Sequence, residues 1–261
     1  FGSRALCGRL HAHELDGRDD EGVSVREALA ELGLCAPPPS GWLERPPAAF
    51  FEVHVEQGPV LERSGAPLGV VATIAGIARF TVGFEGLAGH AGTTPMPGRA
   101  DALCAAASYV LKVRRAAEEI EGAVATVGRL VVEPGAPNVI PGRVSLTVDA
   151  RAPDRVRLEA LLDAVDAPAD VAVSDPAPMA HSPRAALHAE IESLGLPLVE
   201  LQSGAGHDAG ILAAAGVPSA MLFVRSLAGG ASHSPSEETS DEDIVLALDV
   251  LAGALRRLSA A

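Results

Sequence analysis

A chain of 261 residues with 48% hydrophobic side chains can bury a real core in one or two domains. Its formal charge of −14 and pI near 4.9 exclude nucleic acid and anionic membrane surfaces as expected partners. No apolar run reaches the roughly 18 residues of a membrane span, and no segment has the charged start and apolar centre of a signal peptide. Three scattered cysteines, Cys7, Cys35 and Cys104, show no CxxC spacing. They read as core or inert thiols of a protein expected in the reducing cytoplasm.

Residues 1–75 read as mixed α/β. Val23 to Leu32 repeats apolar residues at helical spacing, opened by turn-prone residues 19–22 and closed by Gly33. Pro37 to Gly41 is a turn-rich loop. In FEVHVEQGP, Phe51, Val53 and Val55 alternate with Glu52, His54 and Glu56, the period of a half-buried strand with His54 on its polar face. Gln57, Gly58 and Pro59 stop that strand and leave polar groups at its mouth, where an open sheet tends to build a site. A different module follows: strand Ile77–Phe84, helix Ala100–Glu119, strands Ala123–Val132 and Arg143–Arg151, helix Arg155–Val165 and a last strand Asp170–Val173. The order β-α-β-β-α-β is ferredoxin-like. Helices are then expected over Ala185–Ser193, His207–Ala215 and Asp241–Leu258, with a strand at Ser219–Val224.

Few residues carry chemistry. His54 and His233 (in GGASHSPSEET) are candidate metal ligands, but neither has a local metal-binding spacing. Taken alone, each reads as an ordinary surface or satisfied histidine. Glu52 and Glu56 either orient His54 or form a solvated acidic face. His90, between glycines in GLAGHAGTTPM, either projects into a cleft or hydrogen-bonds Thr93 or Thr94 within its turn. Arg151 offers a planar fork for a carboxylate or pairs with Asp149 on the surface, and Asn138 in EPGAPNVIPG caps local backbone or joins it. In SGAGHDA, Gly204 and Gly206 allow close backbone approach, and His207 opens a helix whose start favours anions, with Asp208 as an alternative cap.

Five blocks occur in one order: FEVHVEQGPVLE, GLAGHAGTTPMPGRADAL, APNVIPG with a strand ending DAR, SGAGHDA and SHSPSEET. Together they resemble the zinc-dependent amidohydrolases of N-carbamoyl and ureido compounds. These comprise N-carbamoyl-L-amino-acid hydrolases, β-ureidopropionases and allantoate amidohydrolases, within the M20-type metallopeptidase clan. The resemblance covers nearly the whole chain. It implies a zinc-peptidase-like α/β domain with a mixed sheet (residues 1–75 and 184–261) and an inserted ferredoxin-like lid and dimerisation domain (76–183). The expected activity is hydrolysis of a C–N bond by water activated between two zinc ions per subunit, with manganese, cobalt or nickel as possible substitutes.

By the same resemblance His54 and His233 bind metal. His90 stabilises the oxyanion across a homodimer. Gln57 contacts the carbamoyl or ureido group, Arg151 and Asn138 hold the carboxylate of a small-molecule substrate, and Gly206 and His207 complete substrate contact. The other ligands and the general base belong upstream of Phe1, so the chain is expected to be the C-terminal part of a longer enzyme, inactive by itself. Arg225 stands where the family often has proline. An aminoacylase or peptidase of the same clan, or a catalytically incomplete dimerisation or binding module, are the alternatives.

Overall fold

The structure, a computed structural model, describes residues 2–34 and 46–259. The expected loop Pro37–Gly41 and Cys35 lie outside the described residues. Two compact units emerge, Phe1–Ala72 with Ala177–Ala261, and Thr73–Pro176. Both boundaries fall earlier in the chain than the expected 75/76 and 183/184.

In chain order the elements begin with helix α1 (Gly2–Leu6), a 3-10 turn (Ala12–Asp16), helix α2 (Val25–Glu31), strand β1 (Phe50–Val55), helix α3 (Val60–Ser64) and strand β2 (Leu68–Ile74). Then come β3 (Gly76–Glu85), β4 (Gly89–His90), α4 (Ala102–Glu119), β5 (Val124–Glu133), β6 (Val139–Ile140), β7 (Arg143–Ala152), α5 (Arg155–Ala164) and β8 (Val173–Ser174). The last are β9 (Ala177–Pro178), α6 (His181–Ser193), β10 (Glu200–Ser203), α7 (Asp208–Ala214), β11 (Ser219–Val224) and α8 (Asp241–Ser259).

The first unit is built on a mixed five-stranded sheet, ordered β1-β11-β2-β10, with β9 also on β2. Strand β1 runs parallel to β11, with His54 opposite Phe223, and β11 is antiparallel to β2. Leu68, Val70, Leu222 and Val224 of the sheet pack with Leu187 and Ile191 of α6 and Ala247, Val250 and Ala254 of α8. The two helices approach closely at Gly253, where a Cβ would lie 2.3 Å from the Glu190 carboxyl. Helix α2 starts at Ser24, whose hydroxyl accepts from Glu27 N–H while the Glu27 carboxylate accepts from Ser24 N–H, a complete capping box. Helix α6 begins at His181, four residues before the expected start. Pro183 sits in its first turn, where the missing N–H has no intrahelical partner to lose.

The second unit carries a four-stranded antiparallel sheet, ordered β5-β7-β3-β8. The first and third strands of the module are central and the fourth and second lie outside, the ferredoxin-like arrangement expected from the sequence. In β7 Val144, Leu146, Val148 and Ala150 are buried, while Ser145, Thr147, Asp149 and Arg151 are half-buried. The buried face packs on Ala102, Ala106, Val113 and Ala116 of α4 and Leu161 of α5. The last strand is shorter than expected, Val173–Ser174 in place of Asp170–Val173. A two-residue ribbon, β4 with β6, continues beyond the end of the sheet where Glu85 faces Arg143.

Among the described residues no helix is long and apolar enough to cross a membrane. Cys7 is buried, Cys104 is exposed, and both are free.

Candidate active site

In the first unit the chemistry-bearing residues collect around β1. His54 points its Nδ1 at the Val55 carbonyl, 2.7 Å away. A carbonyl only accepts, so Nδ1 is the donor, and in the neutral ring Nε2 then carries the lone pair that a metal-ligating imidazole needs. The ring of His207 meets it edge-on, with centroids 4.8 Å apart.

Glu52 does not serve His54, and its strand face is not the solvated one that alternation suggests, because α7 covers it. Its Oε2 accepts from Ala209 N–H at 2.7 Å, and its Oε1 lies 3.6 Å from His207 Nδ1. Burial pushes the Glu52 carboxyl up. The close His207 imidazole and the Ala209 hydrogen bond outweigh it, aided by the charge of both nearby histidines, and hold the group below the usual carboxylate range.

Ser203 completes a chain, with its Oγ 2.6 Å from His207 Nε2. Carboxylate, imidazole and hydroxyl in series is the order of a serine hydrolase triad. Ser203 is only 2% exposed, however, so the series acts as a buried clamp on the 203–207 loop. His207 was expected to touch substrate, yet its side chain is 3% exposed and both ring nitrogens face protein groups. The residue that caps α7 is His207 rather than Asp208. A Cβ at Gly204 or Gly206 would meet nothing within 4 Å, so the protein's own packing does not demand either glycine.

Glu56 takes neither expected role. It reaches over the turn and accepts from Val60 N–H (2.7 Å) and Leu61 N–H (2.9 Å), capping α3. Gln57 adopts a left-handed backbone, φ 55°, held by two serines of the 226–233 loop. Its N–H donates to Ser226 Oγ and its Nε2 to Ser232 Oγ, each at 2.9 Å. Gly230 of the same loop lies so close that a Cβ there would sit 2.2 Å from the Gly58 carbonyl carbon. His233 follows directly, exposed and left-handed at φ 56°, with its N–H on Glu237 Oε2. The fold thus brings Gln57, His54 and the segment carrying His233 to one end of the β1–β11 pair. Arg225, at the end of β11, grips the buried carboxylate of Asp243 through Nε and Nη2 at 2.9 and 2.8 Å.

For zinc, His54 and His233 are suitable imidazoles. Among the described residues, however, no group of three or more His, Cys, Asp or Glu could hold a metal. These histidines can therefore contribute to a centre but do not complete one.

In the second unit His90 stands on β4 with its exposed ring turned so that Gly92 N–H donates to Nδ1 at 3.0 Å. The neutral ring then carries its proton on Nε2, as a donor. The expected turn bond to a threonine is made by backbone alone, Thr94 N–H to His90 O. Asn138 is beside it, its carbonyl accepting from Ala91 N–H at 2.9 Å.

Arg151 lies elsewhere. It pairs with Ile77 at one end of β7, whereas His90 and Asn138 extend beyond Arg143 at the other. Eight residues of strand separate those ends by about 26 Å. Within one copy Asn138 therefore does not sit beside Arg151, contrary to expectation.

Arg151 donates from Nε (2.5 Å) and Nη2 (2.9 Å) to Asp149, which also accepts from Arg79 Nε at 2.6 Å. The Arg151 hydrogen bonds, with Arg79 adding to them, depress the Asp149 carboxyl against the effect of burial. A depressed folded value contributes stability that is complete above the ordinary carboxylate pKa of about 3.9 and lost as pH falls through the folded one. Asp149→Asn should therefore lower Tm at neutral pH, and its gap from the wild type should shrink below about pH 4. Thermal melts that keep a constant gap down to pH 2 would remove this account.

Sequence reasoning missed Ser203, Ser226 and Ser232, which only the folded chain brings to the site.

The profile of peptidase family M20/M25/M40 matches residues 2–257. The N-carbamoyl-L-amino-acid amidohydrolase of Paenarthrobacter aurescens is 37% identical over 277 residues, which cover 99% of this chain and 66% of the relative. The allantoate amidohydrolase of Bacillus subtilis (strain 168) is 36% identical over 257 residues, covering 93% and 62%. A crystal structure of an amidase of the hydantoinase/carbamoylase family from Burkholderia multivorans has a TM-score of 0.81 at 36% identity, covering 97% of this chain and 64% of that one. The chain thus spans somewhat less than two thirds of the length of these relatives. Ordered motifs, mixed sheet, ferredoxin-like insertion and a profile match over almost every residue agree: the chain belongs to peptidase family M20/M25/M40.

Proposed function

We propose that this chain forms the larger part of a metal-dependent amidohydrolase that cleaves the C–N bond of an N-carbamoyl or ureido compound bearing a carboxylate. One observation supports this most. Gln57 ties Ser232, the residue before His233, to the end of the strand that carries His54. Two segments far apart in sequence, each bearing a histidine, are thereby brought to one end of the β1–β11 pair.

His54 and His233 would hold zinc there, together with groups outside the described residues. Bound zinc supplies a Lewis acid for a carbonyl and lowers the pKa of a water. His90 donates its Nε2 proton in a hydrogen bond to the substrate carbonyl oxygen as negative charge builds on it. Arg151 takes the substrate carboxylate with its fork, sharing the guanidinium with Asp149. Gly206 and Asn138 supply further polar contacts. For a carbamoyl substrate, water and the bound compound give an amine, ammonia and carbon dioxide.

The ends of the second unit's sheet bear on assembly. One copy cannot bring His90, Asn138 and Arg151 to a single small substrate across about 26 Å. A homodimer through the second unit, with His90 and Asn138 lent to the partner, resolves this.

The complete protein should hydrolyse an N-carbamoyl-L-amino acid, N-carbamoyl-β-alanine or allantoate and carry about two zinc ions per subunit. Turnover of N-acyl amino acids with none of these three would turn the assignment to an aminoacylase. Arg151→Ala should raise KM for the carboxylate substrate about 10–100-fold, the range expected when hydrogen bonds to a charged group worth about 1.5–3 kcal/mol are lost. An unchanged KM would strip Arg151 of this role.

A further inference from the structure

We propose that Arg99 is a positioning residue for His90, holding the imidazole where it can meet the developing oxyanion. This inference rests on the hydrolase reading above. Residues 91–99 are a mostly exposed turn, AGTTPMPGR, which by itself would leave the His90 ring poorly fixed. Arg99 is half-buried beneath that turn and directs its guanidinium at the backbone. Its Nε and Nη2 donate to the Thr94 carbonyl at 3.1 and 2.6 Å, and Nη2 also donates to the Ala91 carbonyl at 2.5 Å.

Ala91, the residue after His90, is thereby clamped from both sides. Its N–H is on the Asn138 carbonyl and its own carbonyl is on Arg99. Thr94 N–H returns to the His90 carbonyl, so the second carbonyl that Arg99 grips belongs to the residue closing the turn.

Arg99 has no carboxylate within ion-pair distance among the described residues, in contrast to Arg79, Arg151 and Arg155, which all have one. Its charge is directed instead at two carbonyls of one turn. A planar fork with fixed donors can hold both at once, which a lysine ammonium on a flexible stem does poorly. With the turn held, Gly92 N–H stays on Nδ1 and the donor face of the ring keeps its direction. A displacement of about 1 Å at such a group can cost about a hundredfold in rate.

The test compares Arg99→Ala, Arg99→Lys, His90→Ala and the Arg99→Ala/His90→Ala double variant in the complete protein. Steady-state kinetics use the best of the three carbamoyl or ureido substrates, and amide hydrogen exchange is followed over residues 89–94 and over β7. Arg99→Ala should lower kcat about 10–100-fold with KM changed less than about twofold, and Arg99→Lys should recover part of the loss. The double variant should be no slower than His90→Ala alone. Exchange should quicken at the Ala91 and Thr94 amides while β7 stays protected, which separates loss of the clamp from general unfolding. Unchanged kcat in Arg99→Ala, losses that multiply in the double variant, or indifferent exchange at 91 and 94 would each overturn the proposal. A wild type without turnover on any of the three substrates would remove the hydrolase reading, whereas an active wild type with an indifferent Arg99→Ala removes this inference alone.

Discussion

His90→Ala should lower kcat on the carbamoyl or ureido substrate by about 10²–10³-fold and leave KM nearly unchanged, the result of removing one preorganised donor to an oxyanion. The sign of the effect follows from the tautomer. Gly92 N–H occupies Nδ1, so the ring faces outward with a proton to donate rather than a lone pair to accept. His90→Gln, which keeps an N–H donor of similar reach, should restore part of the rate. A loss confined to KM, or one smaller than about tenfold, would show that the ring binds substrate uniformly or not at all.

Gly230→Ala should destabilise the protein by about 2–5 kcal/mol, combining an overpacking cost of about 1–3 with a left-handed backbone cost of about 1–2. Gly230 has φ 76°, and a Cβ would lie 2.2 Å from the carbonyl carbon of Gly58, 2.5 Å from its oxygen and 2.6 Å from Pro59 N. All three contacts are backbone, so no side chain can swing aside. The opposing segment is fixed as well, with Gln57 on Ser226 and Glu56 on the start of α3. The 226–233 loop must therefore lift, carrying His233 with it, and under the proposed function zinc affinity should fall along with stability. Gly98→Ala provides the control. Its φ is 87° but its Cβ would meet nothing within 4 Å, so only the backbone cost of about 1–2 kcal/mol applies. Equal denaturation midpoints for the two variants would refute the steric argument.

The second unit was legible in the sequence because its strands have one covered and one open face. In β7 the buried Val144, Leu146, Val148 and Ala150 alternate with more exposed neighbours, a period that can be read without a structure. Strand β2 escaped for the opposite reason. Leu68 to Val71 are all buried, and a short continuous apolar run carries no period. The S-x-x-E of Ser24 to Glu27 was a local signal that could have placed the start of α2 more closely.

Site legibility divides along the same line. His54 and His90 stand out through their immediate neighbours, a strand terminus and a glycine turn. The partners that set their roles do not, since Glu52 bonds Ala209 across 157 positions and Gln57 bonds Ser232 across 175. Such pairings depend on the order of strands in the sheet, which pattern alone leaves open. The proximity imagined for Asn138 and Arg151 failed because thirteen positions in a chain can lie along the full length of a strand.

The placement of His90 and Arg151 at opposite ends of one ribbon also bears on how mutations would be inherited. In a twofold assembly where each centre borrows its histidine loop from next door, a lesion at residue 90 spares the chain that bears it and disables the neighbour. A lesion at residue 151 does the reverse. Two defective alleles of these different kinds, mixed in one cell, would regenerate a sound centre in half of the sites of every hybrid pair.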